Sequence, residues 1–152
     1  MKLLVIDASI AIKWVIEESG TAAALALRGT ARLIAPELLV AECANILWKK
    51  VQCEELSRDE ALLAARLLQA AEIELVPTRG LLVMATEIAI ELGHPAYDCV
   101  YLALAVEREC RFVTADERLV RKVGEGRFKD RVVSLMEAGA GDGGGGGKTI
   151  RP

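Results

Sequence analysis

The chain has 152 residues, a formal net charge of −3 and 53% hydrophobic residues. This length fits one globular domain with a substantial core, and the hydrophobic fraction excludes an intrinsically disordered chain. The slight negative charge excludes a general attraction to nucleic acid, so any contact with RNA or DNA must come from a local basic patch.

Short apolar runs alternate with longer helical patterns along the first 136 residues. The continuous apolar run 3–6 is typical of a buried strand, Pro36 suits the first position of a helix, and Ser57 with Glu60 forms a capping box that opens another helix. Strands that alternate with helices predict a three-layer α/β/α domain with a parallel sheet. The predicted strands are 3–6, 32–35, 73–76, 111–114 and 131–134, and the predicted helices are 9–18, 21–28, 36–52, 57–72, 81–92, 97–110 and 116–123.

The helices on either side of the turn 54–59 are expected to form an antiparallel hairpin. In the second of them, the residues that fit one apolar face are Leu62, Ala65, Leu68 and Ala71.

A glycine-rich segment, 137–152, follows the predicted domain 1–136 and has no hydrophobic periodicity. This composition predicts a flexible tail. Its residues Gly147, Lys148 and Thr149 are similar to the end of a phosphate-binding P-loop. However, Asp142 stands where that motif needs glycine, and the strand before it and the helix after it are both missing, which argues against such a loop.

The chain has four cysteines, Cys43, Cys53, Cys99 and Cys110, and a single histidine, His94. No two cysteines form a CxxC motif, which argues against a zinc site. Three of the cysteines lie in apolar helical segments, as is typical of reduced, buried thiols. No uncharged run approaches the ~20 residues that a membrane span needs. The sequence therefore predicts a soluble, cytoplasmic protein with no membrane contact.

Four acidic residues, Asp7, Glu42, Asp98 and Asp116, lie where a parallel sheet would gather its ligands. Asp7 and Asp116 follow predicted strands, and ligands bind beyond the carboxyl ends of such strands. Two carboxylates ~6 Å apart at an effective dielectric constant of ~20 repel by roughly 3 kcal/mol, so a cluster requires a cation or protons. An all-oxygen site favours Mg²⁺ or Mn²⁺, which can activate water against a phosphate.

Each acidic residue alone also has a structural explanation. Asp98 and Asp116 can cap helices, and Asp7 can occupy a turn. Glu42 can lie on a solvated stripe with Asn45. These alternatives stay open for each residue singly, but together the four acids favour a metal site.

Two hydroxyl residues accompany the acids: Ser9 is two residues after Asp7, and Thr114 is two residues before Asp116. Each can orient a carboxylate or a water bound to the metal. Local capping or turn bonds are the alternative role for each.

The order and spacing of these motifs resemble the PIN-domain nucleases, specifically the VapC-type toxins of toxin–antitoxin pairs. The likeness extends over residues 1–135, nearly the whole predicted domain. It is carried by Val5-Ile6-Asp7-Ala8-Ser9, by Pro36-Glu37-Leu38 with Glu42 and Asn45, by Tyr97-Asp98, and by Thr114-Ala115-Asp116-Glu117-Arg118-Leu119.

The resemblance implies a five-stranded parallel sheet between helices and a Mg²⁺- or Mn²⁺-dependent endoribonuclease. Asp7 and Asp98 would bind the metal most directly, Asp116 would complete the shell, and Glu42 would act through water or position the nucleophile. The family also implies a homodimer, an RNA substrate and inhibition by a cognate VapB-type antitoxin. Ser9, Asn45 and Thr114 would be the supporting residues.

Basic residues that follow Asp116, namely Arg118, Arg121 and Lys122, are candidates for binding RNA. A solvated helix face is the alternative explanation for this charge run.

Two tryptophans, Trp14 and Trp48, are candidates for an interface, because Trp is enriched at interface hot spots. They predict a groove between the first helix and the helical hairpin, open to an amphipathic antitoxin segment. The alternative is that both are core residues. A homodimer would use another face, around residues 81–92.

Two other enzyme classes fit the motifs less well. A haloacid-dehalogenase type of phosphatase needs an Asp where Ser9 stands, and a receiver domain needs adjacent acids near the first strand. A PIN-like module that binds RNA or protein without catalysis is the remaining alternative.

Overall fold

The computed structural model describes residues 1–141, and its centre is a five-stranded sheet of order β3-β2-β1-β4-β5. All four strand pairings are parallel, which confirms the predicted parallel sheet. The strands are β1 (Lys2–Ile6), β2 (Ala31–Pro36), β3 (Glu74–Val76), β4 (Arg111–Thr114) and β5 (Val132–Ser134).

Helices pack around this sheet, with short 3₁₀ turns at Ile12–Trp14 and Arg79–Leu81. The helices are α1 (Ala8–Ala11), α2 (Thr21–Thr30), α3 (Leu38–Gln52), α4 (Arg58–Gln69), α5 (Leu82–Leu92), α6 (Ala96–Glu107), α7 (Glu117–Val123) and α8 (Leu135–Gly141).

Both faces of the sheet are covered, which confirms the three-layer α/β/α prediction. Helix α6 packs on β1, β2 and β4, and α5 packs on α6. Helices α2 and α8 pack on each other, with α2 also on β2 and α8 also on β4. Neighbouring residues of β1, such as Val5 and Ile6, point to opposite faces and are both fully buried. Tyr101 of α6 stacks on Phe112 of β4 with ring centroids 5.6 Å apart.

The strand order determines where the candidate site lies. Strand β1 pairs with both β2 and β4, and Ile6 lies opposite Val113 in the parallel register. The residues that follow these two strands therefore emerge together at one edge of the sheet. Asp7 follows β1 at this edge, and Thr114 is the last residue of β4.

The predicted helical hairpin is present as α3 and α4, which pack on each other. Ser57 and Glu60 form the predicted capping box, with the Glu60 amide 3.1 Å from Ser57 Oγ. The predicted apolar face of α4 is wrong at Leu62, which is exposed, whereas Ala61 and Ala64 are buried. Small side chains occupy the contact with α3, because they allow the two helices to approach closely.

Three other local predictions differ from the structure. Pro36 is the last residue of β2, not the first of a helix; it lies beyond the part of β2 that pairs with β1, where its missing N–H breaks no ladder bond. The first helix is only one turn, α1, followed by a 3₁₀ turn. Trp14 lies in that turn, and its Nε1 donates to the Ala24 carbonyl of α2 at 2.9 Å. This indole therefore fastens α2, so it does not line a groove beside α3 and α4.

The C-terminal helix α8 includes residues 137–141, which the sequence assigns to the tail. The rest of the predicted tail, with Gly147, Lys148 and Thr149, lies outside the described residues. Within residues 1–141, no helix is long and apolar enough to cross a membrane. Cys43 and Cys99 are buried free thiols, as predicted, whereas Cys110 is only half-buried and lies after α6.

Candidate active site

Asp7 is the centre of the candidate site, at the carboxyl end of β1. Its side chain is almost fully buried, with 6% of the residue exposed. Thr114 Oγ1 donates to Asp7 Oδ2 at 2.6 Å, and Ser9 Oγ donates to Asp7 Oδ1. Both carboxylate oxygens are thus held by hydroxyl groups, one from α1 and one from the end of β4.

The two hydroxyl groups are themselves oriented by backbone amides. The Ala115 amide donates to Ser9 Oγ at 3.0 Å, and the Asp116 amide donates to Thr114 Oγ1 at 3.1 Å. Since each hydroxyl accepts one bond, its proton is directed at Asp7. We call this network of Asp7, Ser9, Thr114 and the two amides the Asp7 latch; it joins the ends of β1 and β4.

The charges of Glu42 and Asp98 act on Asp7. The Asp7 pKa is raised to about 6: burial raises it most, the bonds from Ser9 and Thr114 lower it, and the negative charges of Asp98 and Glu42 raise it. Burial also raises the pKa of the Glu42 carboxyl, and Asp98 adds to that increase. The fold therefore brings Asp7, Glu42 and Asp98 close enough for their negative charges to repel each other. We call the region between these three side chains the crevice.

Glu42 enters the crevice from the second turn of α3. Its Oε1 is buried, and so is the Tyr101 hydroxyl; neither makes a hydrogen bond of ordinary geometry with any described residue. The two groups lie close enough that Tyr101 lowers the Glu42 pKa, while burial and Glu42 raise the Tyr101 pKa. Sequence reasoning missed Tyr101, although it follows Asp98 by three residues and so shares its face of α6.

Asp98 occupies the first turn of α6 but does not cap the helix, since the N-cap residue is Pro95. Its Oδ2 accepts a hydrogen bond from His94 Nε2 at 2.7 Å. Sequence reasoning considered His94 only as a possible zinc ligand. The spacing of four residues between His94 and Asp98 is the signal that could have paired them.

Asp116 differs from the other three acids. It is exposed and caps α7, with its Oδ1 accepting from the Arg118 and Leu119 amides at 3.0 and 3.3 Å. The structural explanation from the sequence thus applies to Asp116, while its own amide belongs to the Asp7 latch. The supporting candidate Asn45 is exposed on α3, one turn beyond Glu42.

Within residues 1–141, no three His, Cys, Asp or Glu side chains lie close enough together to hold a metal ion. The carboxylates are therefore near enough to affect each other's pKa but do not form a closed coordination sphere.

The candidate RNA-binding residues Arg118, Arg121 and Lys122 are exposed on α7. Lys122 also has a structural contact, since its Nζ donates to the Gly93 carbonyl at 2.8 Å. Arg118 and Arg121 are therefore better candidates than Lys122 for contacts with a phosphate backbone.

Comparison with known proteins identifies a family. The family model described as PIN domain matches residues 4–125. Ribonuclease VapC9 from Mycobacterium tuberculosis is 31% identical over 117 residues, which cover 77% of this chain and 88% of that protein. VapC ribonuclease Mb0985 from Mycobacterium bovis has the same identity and coverage.

Two solved structures share the fold. PAE2754 from Pyrobaculum aerophilum has a TM-score of 0.67 and 17% identity, covering 91% of this chain and 88% of that one. VapC20 from Mycobacterium tuberculosis, a Sarcin-Ricin loop cleaving toxin, has a TM-score of 0.56 and 14% identity, covering 73% of this chain and 86% of that one.

Replacing Asp7 by Asn tests the electrostatics of the crevice. The folded-state pKa of Asp7 is raised from 3.8 to about 6, so its favourable contribution to folding is complete below the unfolded pKa and is lost as the pH rises through about 6. Asp7→Asn should therefore increase the free energy of unfolding of the metal-free protein by up to roughly 3 kcal/mol at about pH 7.5, and much less at about pH 4. Urea unfolding with EDTA measures both values.

Asp116→Asn is the matched control, because Asn caps a helix about as well as Asp and Asp116 is exposed. It should leave stability nearly unchanged at both pH values. Destabilisation by Asp7→Asn near neutral pH, or an effect independent of pH, would contradict the proposed cost of burying the ionised Asp7 carboxylate beside Asp98 and Glu42.

Proposed function

Because the chain belongs to the PIN-domain family, we propose that it is a Mg²⁺- or Mn²⁺-dependent endoribonuclease and the toxin of a toxin–antitoxin pair. The observation that carries this proposal is the buried Asp7 carboxylate, held by two hydroxyls and facing the charges of Glu42 and Asp98. A merely structural Asp at a strand end needs no second and third carboxylate beside it.

The donor chemistry of the crevice fits a hard divalent cation. All its acidic donors are oxygen atoms, and Glu42 Oε1 is buried without a hydrogen-bond partner among the described residues. We assign Asp7, Asp98 and Asp116 as the residues that would hold the cation. A bound Mg²⁺ or Mn²⁺ would supply an acidified water and stabilise negative charge on the phosphate.

The residues of the chain have separate roles in the proposed hydrolysis. The Asp7 latch keeps the Asp7 carboxylate in one orientation. Glu42 Oε1 accepts the proton of the attacking water, and burial makes this carboxylate more basic by raising its pKa. The water oxygen forms a bond to phosphorus, the P–O ester bond breaks, and solvent protonates the leaving oxygen.

The alternative function is an RNA- or protein-binding module without catalysis. It is favoured by the separation of the carboxylates and by the capping role of Asp116. The two functions differ in whether RNA is cut and in whether cutting needs a divalent cation.

Asp98→Asn should reduce cleavage of a mixed RNA substrate by roughly 100-fold or more, because one charged ligand is lost while the side-chain shape is kept. EDTA should abolish cleavage by the wild-type protein, and added Mg²⁺ or Mn²⁺ should restore it. Gel analysis of labelled RNA gives both results. Asp59→Asn is the matched control, since Asp59 is almost fully exposed on α4. Full activity of folded Asp98→Asn would contradict the site, and intact RNA in every metal would favour the binding module.

We propose that Arg118 and Arg121 hold the RNA backbone. Each neutralised phosphate releases counterions, so the observed affinity falls as salt rises. Arg118→Glu with Arg121→Glu should weaken binding and reduce the log–log salt slope by about 1 to 2. Fluorescence anisotropy with single-stranded RNA in EDTA, which prevents cleavage, measures this slope. Arg66→Glu, an exposed arginine on α4, is the control. The same slope in the double variant and in wild type would exclude the patch.

We propose that the antitoxin docks on the α3–α4 hairpin. An apolar cavity of about 350 Å³ lies there, beside the exposed Val40 and near the exposed Trp48. Val40, Ala44 and Trp48 follow each other at intervals of four residues, so they form a stripe along α3. Such a stripe fits the apolar face of an amphipathic helix. The cavity is lined by Leu39, Val40, Ala44, Leu47, Leu68 and Leu75.

We propose that a homodimer uses α5 instead. The proposal is supported by Leu82, Val83 and Ile90, which are exposed on this helix within the predicted dimer face around residues 81–92. This patch and the stripe on α3 belong to different elements, so variants of one serve as controls for the other.

Co-expression with the protein encoded next to this chain tests both surfaces. Val40→Asp with Trp48→Ala should abolish the complex with that protein and keep the dimer, because it makes the stripe polar and removes its largest apolar side chain. Val83→Glu with Ile90→Glu should give a monomer that still binds the partner. Affinity capture followed by light scattering reports both states. A complex that survives the first pair of changes would exclude the stripe, and a dimer that survives the second would exclude α5.

A further inference from the structure

We infer that His94 is a positioning residue for Asp98, which it holds in the orientation that a cation requires. This inference rests on the proposed metal site. His94 Nε2 donates to Asp98 Oδ2 at 2.7 Å, and this bond engages only one of the two carboxylate oxygens of Asp98. The bond requires the imidazole tautomer that carries its proton on Nε2, and it needs no positive charge on the ring.

The backbone conformation around His94 places its imidazole ring within hydrogen-bonding distance of Asp98. His94 lies in the short connection between α5 and α6, after Gly93 and before the N-cap Pro95. Gly93 has a φ of 62°, in the left-handed region that favours glycine, and it ends α5. The His94 amide donates to the Ala89 carbonyl at 3.1 Å, so the connection folds back on the last turn of α5.

Contacts from α7 and the residues after it fasten the same connection. Lys122 Nζ donates to the Gly93 carbonyl at 2.8 Å. Arg127 Nε pairs with Glu91 Oε1 and Oε2 at 2.9 and 3.0 Å. Contacts from outside α5 and α6 therefore hold the connection between them, and this fixes the backbone position of His94.

Asp98 needs such a partner more than Asp7 does. Asp7 is buried and held by two hydroxyls, whereas the Asp98 side chain is 30% exposed and His94 is its hydrogen-bond partner in the described structure. Without His94, Asp98 would have to be ordered when a cation binds, and affinity would fall. Partners of this kind commonly change metal affinity by about 10- to 100-fold.

The test is calorimetric titration of the full chain with Mn²⁺, which needs no cleavage assay. His94→Ala should weaken Mn²⁺ binding by about 10-fold or more, and His94→Gln should recover most of the affinity because its side-chain amide also donates. In the Asp98→Asn background, His94→Ala should have little further effect, because His94 acts through that carboxylate. Arg32→Ala, which breaks an exposed ion pair between β2 and β3, is the control. Circular dichroism checks that each variant is folded.

The outcomes separate this inference from the proposed function. Unchanged Mn²⁺ affinity in His94→Ala, together with a loss in Asp98→Asn, overturns the role of His94 and leaves the metal site intact. Unchanged affinity in Asp98→Asn overturns the site itself. An equal effect of His94→Ala with and without the Asp98 carboxylate, or a His94→Gln variant as weak as His94→Ala, also overturns the inference.

Discussion

The hydrogen bond from the Thr114 hydroxyl to the Asp7 carboxylate is the interaction on which the candidate site depends. It spans 2.6 Å between residues at the carboxyl ends of two neighbouring strands, β1 and β4. Ser9 completes the contact from the start of α1, and the backbone amides of Ala115 and Asp116 orient both hydroxyls. The parallel register of β1 and β4 thus places Thr114 beside Asp7 and fixes the orientation of the Asp7 carboxylate.

This arrangement holds the Asp7 carboxylate in a buried position, where water solvates its negative charge poorly. Burial and the neighbouring acids oppose ionisation of Asp7, while the two hydroxyl bonds favour it. The balance leaves the Asp7 pKa well above its usual value, so the metal-free protein gives up stability at neutral pH. A divalent cation bound as proposed would offset that loss of stability by neutralising several carboxylates at once. The burial and charge repulsion that weaken the fold would then favour binding of the proposed cation.

Much of this arrangement is predictable from the sequence, because it depends on local patterns. Apolar runs predict the strands. Asp7, which follows β1, and Thr114, which ends β4, lie at the same edge of the sheet in any parallel pairing of the two. The partners of Asp98 and Glu42 are harder to predict, since the four-residue spacing suggests His94 for Asp98 but His94 lies before the first residue of α6. His94 reaches Asp98 only because Gly93 turns the α5–α6 connection, and Tyr101 meets Glu42 only because α3 and α6 both pack on β2. Similarly, the contact between Lys122 and Gly93 joins distant parts of the chain, so the sequence predicts only that Lys122 is positively charged.

The pKa of Asp7 tests the central claim most directly. Carbon-13 NMR of the labelled Asp7 carboxyl group, followed through a pH titration in EDTA, should give a pKa of about 6. Repeating the titration in Mg²⁺ should lower that pKa, because the cation favours the ionised carboxylate. A value near the ordinary 3.8 without metal, or the same value with and without Mg²⁺, would contradict the account of a buried carboxylate that awaits a cation.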